Sequence, residues 1–402
     1  MHGPMIAKPS SIDVYIVGRC DTAAFSLSQT ERLQRSLAGI TPFHFHASLK
    51  DVPVGSGALV VRADWVIEKR ILQSLTANGG AILREPAGNG YIYAAAFVPV
   101  ERIRDAFELL AGQPSNPPVW LRRFKIGSGA EIGGAYERNL RKRQPSVAAE
   151  LKEGTRDAVE RALFQSAYKG ATDFITKYLW PLPAFHVVRA LARSGVSPNV
   201  ITFVSLVLVI ATFVLFWLGL FWAGIACAYL MAFLDTVDGK LARVTLTSSR
   251  TGHLLDHGID LISPPFWWAA WFAGVLGSPW AASDIFQAWG WPAFWSLMAL
   301  YWLVRGVEAL FSARFAIHIH TWRPIDFAFR QITTRRNVNI TILAAGLFLG
   351  RPDIAFLAVT AWAVASFLFH FARLGQALLQ QARGVEVRSW LNDPLPKNRA
   401  VA

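Results

Sequence analysis

Between residues 199 and 376 the chain carries successive apolar runs, each near the ~20 residues that an α-helix needs to cross a bilayer, and these runs constrain the fold most. We predict six spans, at 199–219, 221–243, 253–277, 288–313, 337–350 and 353–376, the fifth being short. The connections Gly219 to Trp222, Gly277 to Asp284 and Gly350 to Asp353 are nearly free of Lys and Arg. The opposite side carries Arg193, Lys240, Arg314, Arg323, Arg330, Arg335 and Arg336. Basic residues accumulate on the cytoplasmic side of membrane proteins, so the N-terminal segment, the polar stretch around residue 240 and the C-terminus are expected to face the cytoplasm from a cell (inner) membrane.

Composition supports this class. The apolar fraction is 53%, with 16 Trp and 27 Phe, and the net charge of +13 is read as cytoplasmic loops and anionic lipid contact rather than nucleic-acid binding. Cys20 and Cys227 lie far apart and imply neither a disulfide framework nor a cysteine metal site.

One polar stretch interrupts the spans. It reads DTVDGKLARVTLTSSRTGHLLDHGID, from Asp235 to Asp260. On helices Asp235 and Asp238 share a face, and so do Asp256 and Asp260. Ionisable residues in membrane helices mark functional sites with a charged partner, and all-oxygen ligation suits a hard divalent cation. Gly239 and Ala242 leave the helix surface bare for a nucleotide, and Arg243 offers a planar fork to phosphate oxygens.

The spacing of Asp235, Asp238, Gly239, Ala242, Arg243, Gly252, Asp256 and Asp260 resembles the full signature of the CDP-alcohol phosphotransferase (CDP-alcohol phosphatidyltransferase) family. The resemblance implies transfer of a substituted phosphate group from a CDP-linked donor to an acceptor hydroxyl, with release of CMP. It implies Mg2+ or Mn2+, two ions, held by Asp235, Asp238 and Asp256 with help from Asp260. It makes Asp260 the base, and it implies a homodimer. The donor, CDP-diacylglycerol or a soluble CDP-alcohol, stays open, as does the acceptor, with an inositol phosphate favoured by fold-level analogy. Other readings of the acidic stretch are a catalytically inactive scaffold and a cation-coupled transporter, though no repeated halves are visible.

Ahead of the membrane region, residues 1–142 alternate apolar runs (VYIVG, GALVV, GAILR, YIYAAAFVPV) with helical patterns, predicting a soluble α/β domain with a largely parallel sheet. The N-terminal residues lack the pattern of a signal peptide. The domain is distantly similar to nucleotidyltransferases such as sugar-nucleotide and cytidylyl transferases. It departs from them after the first strand, where GRCDTAAFSLS has no glycine beyond Gly18 to cradle a triphosphate. A degenerate domain is therefore expected, with Asp64 read as a helix cap.

Residues 143–195 read as a linker and an amphipathic helix lying on the membrane, interrupted by Pro181 and Pro183; residues 196–383 form the membrane domain, and 384–402 a flexible tail. Further candidates for substrate contacts are Asn199 and Thr202 at the start of the first span, Arg250 within the motif, and Arg305, Arg335 and Arg336. Arg305 and Glu308 also read as a neutralising pair. His318 and His320 lack a third ligand for zinc.

Overall fold

A computed structural model describes residues 11–392 except 52, 56, 78–79, 88–89, 115 and 249; the side chains of 250, 251, 253, 255 and 256 also lie outside the described residues.

The N-terminal unit is an α/β sheet region. Its strands are β1 (Ile12–Val17), β2 (Phe43–His46), β3 (Gly57–Arg62), β4 (Trp65–Ile67), β5 (Ala81–Ala87), β6 (Gly90–Val98) and β7 (Lys125–Gly127). Six of them form one sheet in the order β2-β1-β3-β6-β5-β7. Only β6 runs against its neighbours. Successive strand residues point to opposite faces, so near-continuous apolar runs feed two cores. Ile12, Val14, Leu59 and Val61 pack against helices α1 (Gln29–Leu37) and α2 (Lys69–Ala77). Tyr15, Val17, Ala58 and Val60 pack against α3 (Ile103–Gly112). Helix α1 starts where the sequence supplies a capping box, with the Ser28 hydroxyl and the Glu31 carboxylate each satisfying the other's backbone amide. Asp64 caps no helix; it pairs with Arg62 at 2.6 Å.

The sheet region continues past residue 142. After α4 (Gly129–Gly133), strands β8 (Tyr136–Glu137) and β9 (Lys142–Arg143) form a hairpin, and β10 (Ala148–Glu150) pairs with β4. Helix α5 (Arg156–Ser166), a π-type turn at Ile175–Leu179 and α6 (Pro181–Arg193) lead to the membrane unit. Pro181 opens α6, where its missing N–H costs nothing.

The remaining helices are α7 (Pro198–Trp217), α8 (Phe221–Val244), α9 (Arg250–Leu276), α10 (Asp284–Phe315), α11 (Pro324–Phe329), α12 (Arg336–Phe348) and α13 (Pro352–Ala382). Among the described residues four are long and apolar enough to cross a membrane: α7, α8, α10 and α13. Helix α12 has 13 residues, or roughly 20 Å at 1.5 Å per residue, against a hydrocarbon layer of about 30 Å. The bundle core is aromatic. Trp267, Trp268 and Trp271 of α9 are buried with Phe216 and Phe356, and the indole N–H groups of Trp267 and Trp271 donate to the carbonyls of Val209 and Pro352. Gly274 lets α9 touch α7, since a Cβ there would lie 2.1 Å from the Phe216 carbonyl oxygen.

A third core joins the two units. Ala24 and Phe25, from the loop after β1, pack with Leu163, Phe185 and Val188 of α5 and α6 and with Val237, Leu241 and Val244 of α8. Buried Glu160 accepts from the Phe25 amide at 2.9 Å and pairs with Arg189 at 2.7 Å. Arg35 of α1 donates to the carbonyl of Thr245 at the C-terminal end of α8, where the helix dipole favours a cation. Val387, Ser389 and Leu391 are buried as well, and Ser389 donates to the Thr321 carbonyl; residues 393–402 lie outside the described residues.

Candidate active site

The aspartate motif is helical on both sides of its turn. Asp235, Asp238, Gly239, Ala242 and Arg243 lie on α8, and Gly252, Asp256 and Asp260 on α9. Asp235 and Asp260 border a cavity of about 530 Å3 between the helices. Arg336, at the start of α12, joins them: its Nη2 is 2.7 Å from Asp235 Oδ2, and its Nη1 donates to Asp260 Oδ1. Asp238 is buried behind them at 4% exposure, and its Oδ2 accepts from the Thr202 hydroxyl at 2.7 Å. The Asp238 Oδ1 is buried with no hydrogen-bond partner. A buried carboxylate oxygen without a donor is costly unless a cation meets it. The donor atoms of Asp235, Asp238 and Asp260 are all oxygen, the chemistry that a hard divalent ion takes, with Asp238 set back from the cavity that the other two border. The side chains of Asp256 and Arg250 lie outside the described residues.

The other predicted residues divide. Arg243 folds across Gly239, where a Cβ would meet its Nη2 at 3.2 Å, and its Nε donates to the Ala167 carbonyl at 2.8 Å. Gly239, Arg243, Arg305, Arg335 and Arg336 line the cavity. Thr202 reaches the site only through Asp238, and Asn199 is exposed at the start of α7. Ala242 and Gly252 are half-buried on their helices. Arg305 stacks over Tyr301, with the guanidinium carbon 5.3 Å from the ring centre. Glu308 is held instead by Arg335, whose Nη2 lies 2.5–2.6 Å from both of its oxygens, and by His320 at 3.1 Å.

The fold also supplies neighbours that spacing does not reveal. Glu308, His320 and His370 present ligand atoms within 4.8 Å of one another. The Arg335 guanidinium matches the Glu308 charge and His320 bonds to the same carboxylate, while His370 bonds to the Ser366 carbonyl and its Nε2 is buried without a hydrogen-bond partner. Burial and the nearby Arg141 push the His318 imidazole below its usual range. Lys169, Lys240, Arg141 and Arg330 border the same cavity; Lys240 sits 3.7 Å over the Tyr168 ring. The cavity lining thus mixes the Asp235 and Asp260 carboxylates with a large excess of basic side chains.

Residues 195–369 match the family model described as CDP-alcohol phosphatidyltransferase. The chain carries a CDP-alcohol phosphatidyltransferase domain. That domain spans α7 to most of α13 and contains every motif residue. A phosphatidylinositol phosphate synthase of Streptomyces avermitilis is 36% identical over 110 residues, which cover 26% of this chain and 43% of the relative. The chain thus spans less than half the length of the curated relative it matches. A crystal structure of phosphatidylinositol phosphate synthase from Mycobacterium tuberculosis with CDP-DAG bound aligns with a TM-score of 0.36 and 17% identity, covering 47% of this chain and 91% of that one.

Proposed function

We propose that this protein transfers a substituted phosphate group from a CDP-linked donor to an acceptor hydroxyl, releasing CMP, in the synthesis of phospholipids or polar headgroups. One observation carries the reading: the complete eight-residue motif lies in the CDP-alcohol phosphatidyltransferase domain, with Asp235 and Asp260 meeting across one cavity on the same guanidinium. The name of the Streptomyces relative, phosphatidylinositol phosphate synthase, favours transfer of a phosphatidyl group and a phosphorylated inositol as acceptor.

Asp235, Asp238, Asp256 and Asp260 would hold Mg2+ or Mn2+. Such ions, when bound, draw negative charge from a diphosphate and stabilise the leaving oxygen. Asp260 takes the proton of the acceptor hydroxyl, whose oxygen then attacks the distal phosphorus while the bond to CMP breaks. Arg336 keeps the Asp235 and Asp260 carboxylates facing one point. Arg243, lying across Gly239, forms the basic face against which the donor diphosphate lies.

The reading extends to the architecture. Helices α9 and α12 complete six spans, the motif and the sheet region face the cytoplasm, and the protein is a homodimer. The sheet region is a nucleotidyltransferase-like unit without transfer activity. The loop after β1 supports this, because Ala24 and Phe25 are buried in the joint between the units and cannot surround a triphosphate.

The test is CMP release by the purified chain in detergent with Mg2+ or Mn2+, offering CDP-diacylglycerol and soluble CDP-alcohols against a panel of acceptors. Release that needs metal and disappears in Asp260→Asn supports the proposal. Folded protein that binds metal yet releases no CMP from any donor would overturn it.

A further inference from the structure

The cavity is not built by the membrane helices alone. We propose that the β8–β9 hairpin of the sheet region closes it, and that Arg141 at the hairpin tip is a specificity-determining residue that grips the phosphate of a phosphorylated acceptor. The acceptor's identity rests on the phosphotransfer proposed above; the anion contact does not.

Tyr136 and Glu137 pair with Arg143 and Lys142, so residues 138–141 form the tip. Arg141 has φ of 52°, the left-handed region that a residue with a Cβ seldom occupies and that Gly fills most readily. Such strain at a binding surface persists only where the surroundings impose it. Here they do. The Gly170 amide donates to the Leu140 carbonyl at 2.8 Å, and a Cβ on Gly170 would lie 2.4 Å from the Arg141 carbonyl oxygen. Arg138 Nη2 donates to the carbonyl of Ala316 at the end of α10, at 2.8 Å. The buried Lys142 ammonium donates to the carbonyls of Ser166 and Gln165. These contacts fix the tip at the cavity wall, near Arg330, His318 and Glu308.

The charges there are unmatched. Among the described residues the Arg141 guanidinium makes no hydrogen bond or ion pair, and Nε and Nη1 of Arg330 are buried without a partner. The neighbouring acids are engaged: Glu308 by Arg335 and His320, and Asp173 by the Thr176 amide and Asn337. Two guanidinium groups with spare donors on one cavity wall match the oxygens of a phosphate. A neutral acceptor would leave that repulsion uncompensated.

The decisive variant is Arg141→Gly, which removes the charge and suits the left-handed backbone, so folding is retained. In the full chain in detergent, we expect its KM for a phosphorylated acceptor to rise roughly tenfold to hundredfold, as for loss of one charge-assisted contact. The KM for the CDP-linked donor stays unchanged, and Arg141→Lys recovers part of the loss. An unchanged acceptor KM, or an equal rise for donor and acceptor, overturns the proposal. Titration of the thermal midpoint with inorganic phosphate keeps the inference testable if no donor is turned over. Half-saturation then shifts upward at least fivefold in Arg141→Gly, as expected for a lost charged contact; identical curves for variant and wild type overturn the hairpin contact, whereas absence of CMP release bears only on the phosphotransfer reading.

Discussion

The Thr202→Val substitution isolates how α7 supports the motif. It keeps the side-chain shape but removes the hydroxyl that donates to Asp238 Oδ2 at 2.7 Å. The second oxygen of that carboxylate is already without a donor, and the residue is only 4% exposed, so the variant strips a buried anion of its remaining side-chain hydrogen bond. A hydrogen bond to a charged group contributes about 1.5–3 kcal/mol, and 1.4 kcal/mol corresponds to tenfold in an equilibrium constant. If Asp238 holds a cation, loss of the group that orients it should weaken metal affinity by about 10–100-fold, the usual range for an outer partner of a metal ligand. The assay is CMP release against Mn2+ concentration, paired with the thermal midpoint over the same titration. The variant should melt lower without metal and regain most of the difference at saturating Mn2+. Identical half-saturation in wild type and variant would refute the reasoning, because Asp238 would then not be a ligand that Thr202 positions.

Other outcomes follow from the packing. Phe25→Ala removes a ring that is 1% exposed at the joint between the units, so it should cost about 3–5 kcal/mol, read as a lower unfolding midpoint. Gly274→Ala places a methyl 2.1 Å from the Phe216 carbonyl oxygen, and we expect a loss of about 1–3 kcal/mol in stability measured in detergent; wild-type stability would show that α9 can move away from α7. Burial pushes the Lys142 ammonium from 10.5 down to about 8. Between those values the unfolded chain binds more protons than the folded one, so this residue's contribution to stability grows as pH rises from about 8 towards 10.5. A thermal midpoint plotted against pH should therefore climb more in wild type than in Lys142→Gln, and parallel curves would disprove the assignment. Replacing Arg336 with Gln leaves Asp235 and Asp260 facing each other without a cation between them, so CMP release should fall while added Mn2+ restores the folded midpoint.

The helical setting of Asp235 and Asp238 on α8 and of Asp260 on α9 was legible because the spacing is local, whatever the rest of the fold does. The apolar lengths of α7, α8, α10 and α13 were legible for the same reason. What escaped the sequence depends on partners far along the chain. Arg305 and Glu308 are three residues apart, yet Glu308 takes Arg335, 27 residues on. Arg62 outcompeted a helix amide for Asp64 because the turn after β3 brings the two side chains together. Residues 384–392 looked free because their few apolar residues have no periodicity; Val387 packs with Phe311, Ile319 and Trp322. Nothing near Arg141 in the sequence signals that its hairpin reaches a cavity lined by residues beyond 300.

The joint formed by the loop after β1 has a consequence for how the chain comes apart. Phe25 presses on α5, α6 and the side of α8 that carries Val237, Leu241 and Val244, while the opposite side of the same helix carries Asp235 and Gly239. Removing the sheet region by a cut between 150 and 195 would therefore expose an apolar strip directly behind the Asp235 carboxylate. The sheet region and the motif helix belong to one cooperative unit, and heating should release both in a single transition rather than shedding the soluble half first.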